Sequence, residues 1–280
     1  MTEQEDETLL NQWKNSWQVA LDVWSKYTRL RAPILCETNE HAYEEGLTGS
    51  FAMIRFRDQS VVVNLSSIKE HGLEDFSVEI LAHEIGHHVL TPANLTDNAR
   101  MIARMLPALP TVENQASMVS NLYSDLLINN HLQRHAGMRM DEIYSRLNKS
   151  ASYSKLWVLY MRIFELLWQL KRGAIGGNTT EDSIEGDAWL GARIIKVYSK
   201  DWLTGAGRFA ALLLPYLIEE NEKNEALNQL MDTRDAGKGQ IPSGLIRADD
   251  GDGIHPAKDP ALTGEQNGID EPGTDPVDTA

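Results

Sequence analysis

His83, Glu84 and His87 fall in the segment His83-Glu84-Ile85-Gly86-His87, an HExxH pattern. On an α-helix, side chains four residues apart share a face, with Cβ atoms about 5–6 Å apart. Two imidazoles so placed can meet one metal ion at about 2.0–2.1 Å. Glu84 adjoins the first of them. It is expected to take a proton from a water that the ion acidifies and to return it to a leaving amine. The chemistry to expect is metal-assisted hydrolysis, with His83 and His87 as ligands and Glu84 as general base. His88 is expected to point elsewhere.

A catalytic zinc takes three protein ligands and keeps one position open. The best source of the third is Asn121-Leu122-Tyr123-Ser124-Asp125-Leu126-Leu127-Ile128-Asn129. Asn121, Asp125 and Asn129 recur every four residues and share one face of a helix that is otherwise apolar. Asp125 at the centre of that row can bind the ion. Asn121 and Asn129 can hold its carboxylate, or the outer nitrogens of the histidines, from behind. A rival ligand lies among Glu181, Glu185 and Asp187. Glu181 and Glu185 share a helical face, Asp187 could orient a ligand histidine, and Arg193 could bind a substrate carboxylate. His131 and His135, also four apart, offer a second metal pair. Tyr123 or Tyr144 could stabilise an oxyanion, and nothing in the sequence selects between them.

HEIGH at 83–87 followed by NLYSDLLIN at 121–129 resembles the HExxH metallopeptidase domains associated with von Willebrand factor A-type proteins and MoxR-type AAA ATPases. The resemblance covers roughly residues 45–150. It implies a zincin-like core, His83, His87 and Asp125 as ligands of Zn2+, and Glu84 as base. It also implies a system that includes such an ATPase and a von Willebrand A-type partner. A hydrophobic, proline-containing insert, Met101–Pro110, separates the two motifs and could mark a lid or a specificity element.

The elements that must carry these residues read as mainly α with a small β-hairpin or sheet. Trp13, Trp17, Ala20, Leu21 and Trp24 lie at helical spacing in a helix expected from about Glu7 to Leu30 and ended by Pro33. Residues 51–57 and 60–65, rich in β-branched and aromatic side chains, flank Asp58-Gln59 as a hairpin whose turn lacks the favoured glycine. Its edge strand is where an extended peptide could add by backbone pairing. Asp75 is expected to cap the HExxH helix, at about residues 76–90. Gly86 there could permit close approach of a strand or another helix. Further helices are expected at about 96–106, 112–136, 141–147, 153–172, 180–198, 205–220 and 222–231. One metallopeptidase domain is expected over residues 1–234, with its core at about 45–150 and a helical extension at about 151–234. Residues 235–280 read as a disordered acidic tail or linker.

Net charge is −15, and residues 235–280 hold ten acidic residues against three basic ones. Residues 3–7 carry much of the rest, and the only mildly acidic body between offers no basic face for nucleic acid as a partner. A single cysteine, Cys36, excludes a disulfide framework and a Cys-rich zinc site, and reads as a buried apolar residue. The acidic start at residues 2–7 fits neither a secretory signal nor a mitochondrial presequence. The most apolar stretch, residues 156–170, carries Arg162 and Glu165 and reads as a core helix rather than a membrane span. A cytoplasmic zinc peptidase acting on a peptide or protein substrate is the expectation. The alternative is a non-catalytic, zinc-stabilised adaptor.

Overall fold

Val61, Val62 and Val63 are all buried, although successive residues of a strand face opposite sides of its sheet. The strand that holds them must therefore be covered on both faces, and the computed structural model shows how. It describes residues 3–148, 154–176 and 181–223. In chain order the elements are α1 (Glu3–Trp24), β1 (Ile34–Cys36), α2 (Asn39–Glu44), β2 (Ala52–Arg55), β3 (Ser60–Asn64), α3 (Leu65–His71), α4 (Ser77–Val89), α5 (Leu95–Met105), α6 (Ala116–His135), α7 (Met140–Leu147), α8 (Lys155–Trp168), α9 (Asp182–Val197) and α10 (Trp202–Lys223). The protein is mainly helical, with one small sheet. The expected acidic tail and the end of the helix expected at 222–231 lie outside the described residues.

The chain forms two compact units, and α5 and α6 each run through both. Among the described residues, the first unit comprises 3–98 and 127–148. Its sheet has the order β1-β3-β2, with β1 parallel and β2 antiparallel to β3. Ile34 and Met53 both pair with Val62. These three side chains share one face and pack with Cys36, Ala42 and Leu47. The pleat leaves Ile54, Val61 and Val63 on the other face, and α4 packs against β2 and β3.

The hairpin differs from the two-residue turn expected at Asp58-Gln59. Arg55 pairs with Ser60, so residues 56–59 form the loop. Gln59 itself takes the left-handed conformation at φ 58°, the role a glycine would ordinarily fill. Asp58 holds the loop by accepting from Ser60 N at 3.2 Å and pairing with Arg55 at 3.1 Å.

Helix α1 stops at Trp24, well before Pro33. The chain turns through Ser25, whose hydroxyl accepts from Tyr27 N and whose carbonyl accepts from Thr28 N. The expected apolar face is borne out: Trp13, Trp17, Ala20 and Leu21 are buried, and α1 packs on α4. Asp75 does not cap α4. It lies in a 3-10 turn, Glu74–Phe76, and no side chain caps the helix that follows.

Among the described residues, the second unit comprises 99–126, 154–176 and 181–223. Met101, Ile102, Met105 and Leu109 are fully or nearly fully buried, so the insert between the motifs serves as core rather than as an exposed lid. Helices expected at 205–220 and beyond merge into α10, which passes through Pro215. Polar order in this unit centres on α8. Glu165, with no exposed surface, accepts from the backbone of Gly173 and Ile175 at 3.0 Å each and pairs with Arg162. Arg162 in turn grips Glu185 through two hydrogen bonds of 2.9 and 2.8 Å.

That grip holds the Glu185 carboxyl below the usual glutamate range, chiefly through hydrogen bonding from Arg162. A depressed folded-state value adds stability that is complete above the unfolded glutamate's titration and is lost as pH falls toward the folded value. Denaturant midpoints are therefore expected to drop on acidification from about pH 6 to about pH 4. Glu185→Gln should be less stable than wild type at the upper pH and show a shallower fall. An unchanged slope in the variant would remove Glu185 from the acid response.

Candidate metal centre

Helix α4 is buried almost throughout, including Glu79, His83, Glu84 and His87. Three neighbours in the first unit fix its position. Trp24 of α1 donates from its indole Nε1 to the Ala82 carbonyl at 2.7 Å. Ile128 of α6 and Trp24 both press on the bare Cα of Gly86, where a Cβ would lie 2.5 Å from Ile128 Cγ2 and 2.7 Å from Trp24 Cζ2. The hairpin loop is tied on through His88 Nδ1 and Gln59 Oε1, 2.7 Å apart. His88 is thereby turned away from the other two histidines, as expected, and the close approach anticipated at Gly86 is that of a helix.

His83 and His87 stand with ring centroids 5.0 Å apart and planes at 87°. Phe56 of the hairpin loop meets the His87 ring edge-on at 6.4 Å. Behind His83, its Nδ1 lies 2.6 Å from Asn129 Oδ1. That bond fixes the side of α6 that faces α4, and Asp125 sits one turn earlier on the same unbroken helix. Ligand atoms of His83, His87 and Asp125 all lie within 4.8 Å of one another. Among the described residues, these three are the one such cluster of at least three His, Cys, Asp or Glu side chains.

The polar row on α6 is not a solvated stripe. Asn121, Asp125 and Asn129 are 6%, 1% and 1% exposed, and the apolar residues between them are buried as well. Leaving an ionised carboxylate in such a place without compensation is costly. A divalent cation held between Asp125 and the two imidazoles would favour the ionised carboxylate there.

The donor set fits a metal. Two imidazoles and one carboxylate are the ligands of catalytic zinc sites, and they also suit other borderline divalent ions. A tetrahedral ion at about 2.1 Å from each atom needs ligand atoms roughly 3.4 Å apart, a spacing reached from 4.8 Å or less by modest side-chain torsions. Glu84, 3% exposed, lies next to His83 in the chain.

The rival ligands are engaged elsewhere. Glu185 accepts from Arg162, from Arg172 at 2.7 Å and from Trp189 at 3.2 Å. Glu181 pairs with Lys155 at 3.2 Å, and Asp187 accepts from the Tyr216 hydroxyl at 2.6 Å. None of them joins the cluster; Arg193 lies on α9 with Glu185 and Asp187, and Glu181 is the N-cap of that helix. His131 and His135 are near each other, with ring centroids 5.2 Å apart, but among the described residues no third ligand joins them, and His131 is stacked on Trp24 at 4.8 Å. Tyr123 points its hydroxyl at the Trp202 carbonyl, 3.0 Å away. Tyr144 instead accepts from Asn129 Nδ2 at 3.0 Å, a contact that no periodicity in the sequence announces. Cys36 has no exposed surface and its thiol is pushed up to about 11, mainly by burial, which fits the apolar role expected of it.

None of the described helices is long and apolar enough to cross a membrane. Comparison with protein-family models, with curated proteins and with solved structures gives no match to this chain, so its clearest distinguishing feature is the buried His83–His87–Asp125 cluster itself.

Proposed function

We propose that the protein is a zinc-dependent peptidase with its centre at His83, His87 and Asp125. The observation that carries the reading is the convergence of those three buried ligands beside a buried glutamate, Glu84. A purely structural zinc closes its site with four protein ligands, whereas a catalytic one takes three and leaves a position for water. When bound, the ion would supply the Lewis acid that acidifies water and polarises a carbonyl. Glu84 would take the proton of the attacking water and pass it to the amine of the departing peptide. Asn129 would hold His83 from behind. An extended substrate could add to β2, the outer strand of the sheet beside α4.

A second reading, a zinc-stabilised adaptor without turnover, draws on the depth of the site. His83, Glu84, His87 and Asp125 are each at most 6% exposed, and Ala52, Met53 and Ile54 of β2 at most 4%. A substrate would have to uncover both. Restraint of that kind fits a peptidase opened by a partner, and the resemblance to ATPase-associated domains suggests a MoxR-type ATPase and a von Willebrand A-type protein for that role.

The two readings part on one assay. Zinc-loaded protein is incubated with a mixed peptide library and cleavage is read by mass spectrometry, alone and after mild destabilisation to open the site. New peptide termini that vanish with a chelator, return with zinc and are absent from Glu84→Gln support the peptidase. One bound zinc with no cleavage under any condition supports the adaptor.

A further inference from the structure

We propose that the hairpin loop of residues 56–59 is the gate of the metal centre, with Phe56 as its cover over His87 and Gln59 as the latch that holds it shut on α4. The inference rests on the metal reading of His87 and deepens it by naming the route to the ion.

An ion has to reach ligands that packing hides. His83, His87 and Asp125 are at most 6% exposed, so something that covers them must move aside. Phe56 stands edge-on to the His87 ring at 6.4 Å and is itself largely buried. It belongs to a loop of four residues between paired Arg55 and Ser60. His83 is backed instead by Asn129 of α6, a helix of 20 residues. Displacing a helix breaks many contacts at once, whereas a short loop opens locally at low cost.

The loop is tied within itself and can swing as one piece. Gln59 N donates to the Arg55 carbonyl at 2.8 Å, and Asp58 accepts from Ser60 N at 3.2 Å and from Arg55 Nη2 at 3.1 Å. Its tie to α4 is one side chain. Gln59 Nε2 donates to the Phe56 carbonyl at 3.1 Å, and Gln59 Oε1 lies 2.7 Å from His88 Nδ1. A backbone carbonyl only accepts, so it fixes which end of the amide faces it. The amide oxygen is left for His88, whose Nδ1 therefore donates. Among the described residues no other hydrogen bond runs from the loop to α4. Gln59 also holds φ 58°, a conformation that glycine or asparagine adopts at lower cost. The turn gives no reason for a glutamine there; the bond to His88 does.

Gln59→Asn keeps a residue that tolerates the left-handed backbone and shortens the side chain, so that it no longer spans both partners. Phe56→Ala removes the cover. The latch is made with or without the ion, so opening it should speed entry and exit alike. Zinc transfer to an excess of chromophoric chelator, followed by stopped flow, should be about 10-fold faster in Q59N, the scale of one net hydrogen bond. Uptake should quicken by the same factor and leave the equilibrium affinity at the wild-type value. Phe56→Ala should likewise speed both directions. A second readout needs no metal. In the metal-free proteins, modification of His87 by diethyl pyrocarbonate, mapped by tandem mass spectrometry, should be faster in both variants. Thiol labelling of Cys36, buried in the core of the sheet, reports global opening and should stay unchanged.

The proposal is overturned if zinc exchange and His87 modification in both variants match wild type. It is also overturned if zinc leaves faster while uptake does not change, because the loop then shapes the site instead of gating it. A rise in Cys36 labelling in step with His87 overturns it as well, since the whole unit has then loosened. Should wild type bind no zinc, the metal reading falls, and His87 modification still decides the gate: faster in both variants supports it, and unchanged rates sink it.

Discussion

Zinc added to the purified protein should raise its melting temperature, and His83→Ala and Asp125→Ala should each abolish the rise. Ligand at about 100 times its Kd adds about 2.7 kcal/mol to a protein that binds only when folded. In a domain of roughly 150–250 residues that corresponds to about 5–10 °C. The two variants remove donors from different helices, α4 and α6, so their agreement would locate the ion between those helices. Glu185→Ala is the counterpart: its carboxylate is held by Arg162 and Arg172, so this variant should lose stability without metal and still gain the full zinc increment. If Glu185→Ala lost the increment while Asp125→Ala kept it, the ligand set would be wrong.

Glu84→Gln completes the set. The amide keeps the size of the side chain and cannot accept the proton of the attacking water. Zinc content and the thermal increment should be unchanged, while any peptide hydrolysis should fall about 10²- to 10⁴-fold, the contribution typical of a positioned general base. Loss of metal from this variant would mean that Glu84 is itself a ligand, and the assignment of a base would go with it.

The parts of this site that can be read from the sequence are those that one helix can state alone. HExxH places His83 and His87 on one face whatever surrounds them. The row Asn121, Asp125 and Asn129 likewise stands out because its neighbours on α6 are leucine and isoleucine. Elements stabilised by tertiary contact or by a single side chain are harder to see. Strand β1 is three residues long and exists through its pairing with β3. The short, polar helices α2 and α3 have little periodicity; each is started by one side chain, Thr38 accepting from His41 N and Asn64 from Ser67 N. Asp75 has the composition of a cap, but a 3-10 turn leads into α4 instead. Contacts between side chains far apart in sequence, such as Asn129 with Tyr144 and His88 with Gln59, leave no pattern in the chain. The depth of the centre is equally hidden, because burial depends on elements packing from several directions.

Gly86→Ala should be destabilising although it improves helix propensity. In an exposed helix the change would gain about 1 kcal/mol. Here the new Cβ would meet Ile128 Cγ2 at 2.5 Å, Trp24 Cζ2 at 2.7 Å and Ile128 Cγ1 at 3.3 Å, against the roughly 3.5–4.0 Å of a good carbon contact. Neither neighbour can yield cheaply. Ile128 is fully buried and β-branched, hence stiff at χ1. Trp24 is fixed by its bond to the Ala82 carbonyl and by its stack on His131. Helix α4 must therefore back away, at an overpacking cost of about 1–3 kcal/mol. The same displacement moves His83 and His87 from Asp125, which lies three residues before Ile128 on α6. Stability and zinc affinity are thus expected to fall together in Gly86→Ala, whereas a variant that only loosened the core would lower the first alone. Ile128→Ala removes both clashing isoleucine atoms and by itself opens a cavity costing about 2–5 kcal/mol. Combined with Gly86→Ala it should cost less than the two changes summed, because the added methyl occupies part of the space vacated. Denaturant melts and chelator competition on the four proteins measure both quantities. A Gly86→Ala protein that is as stable as wild type and binds zinc as tightly would show that α4 and α6 are not in the close contact on which the geometry of the centre depends.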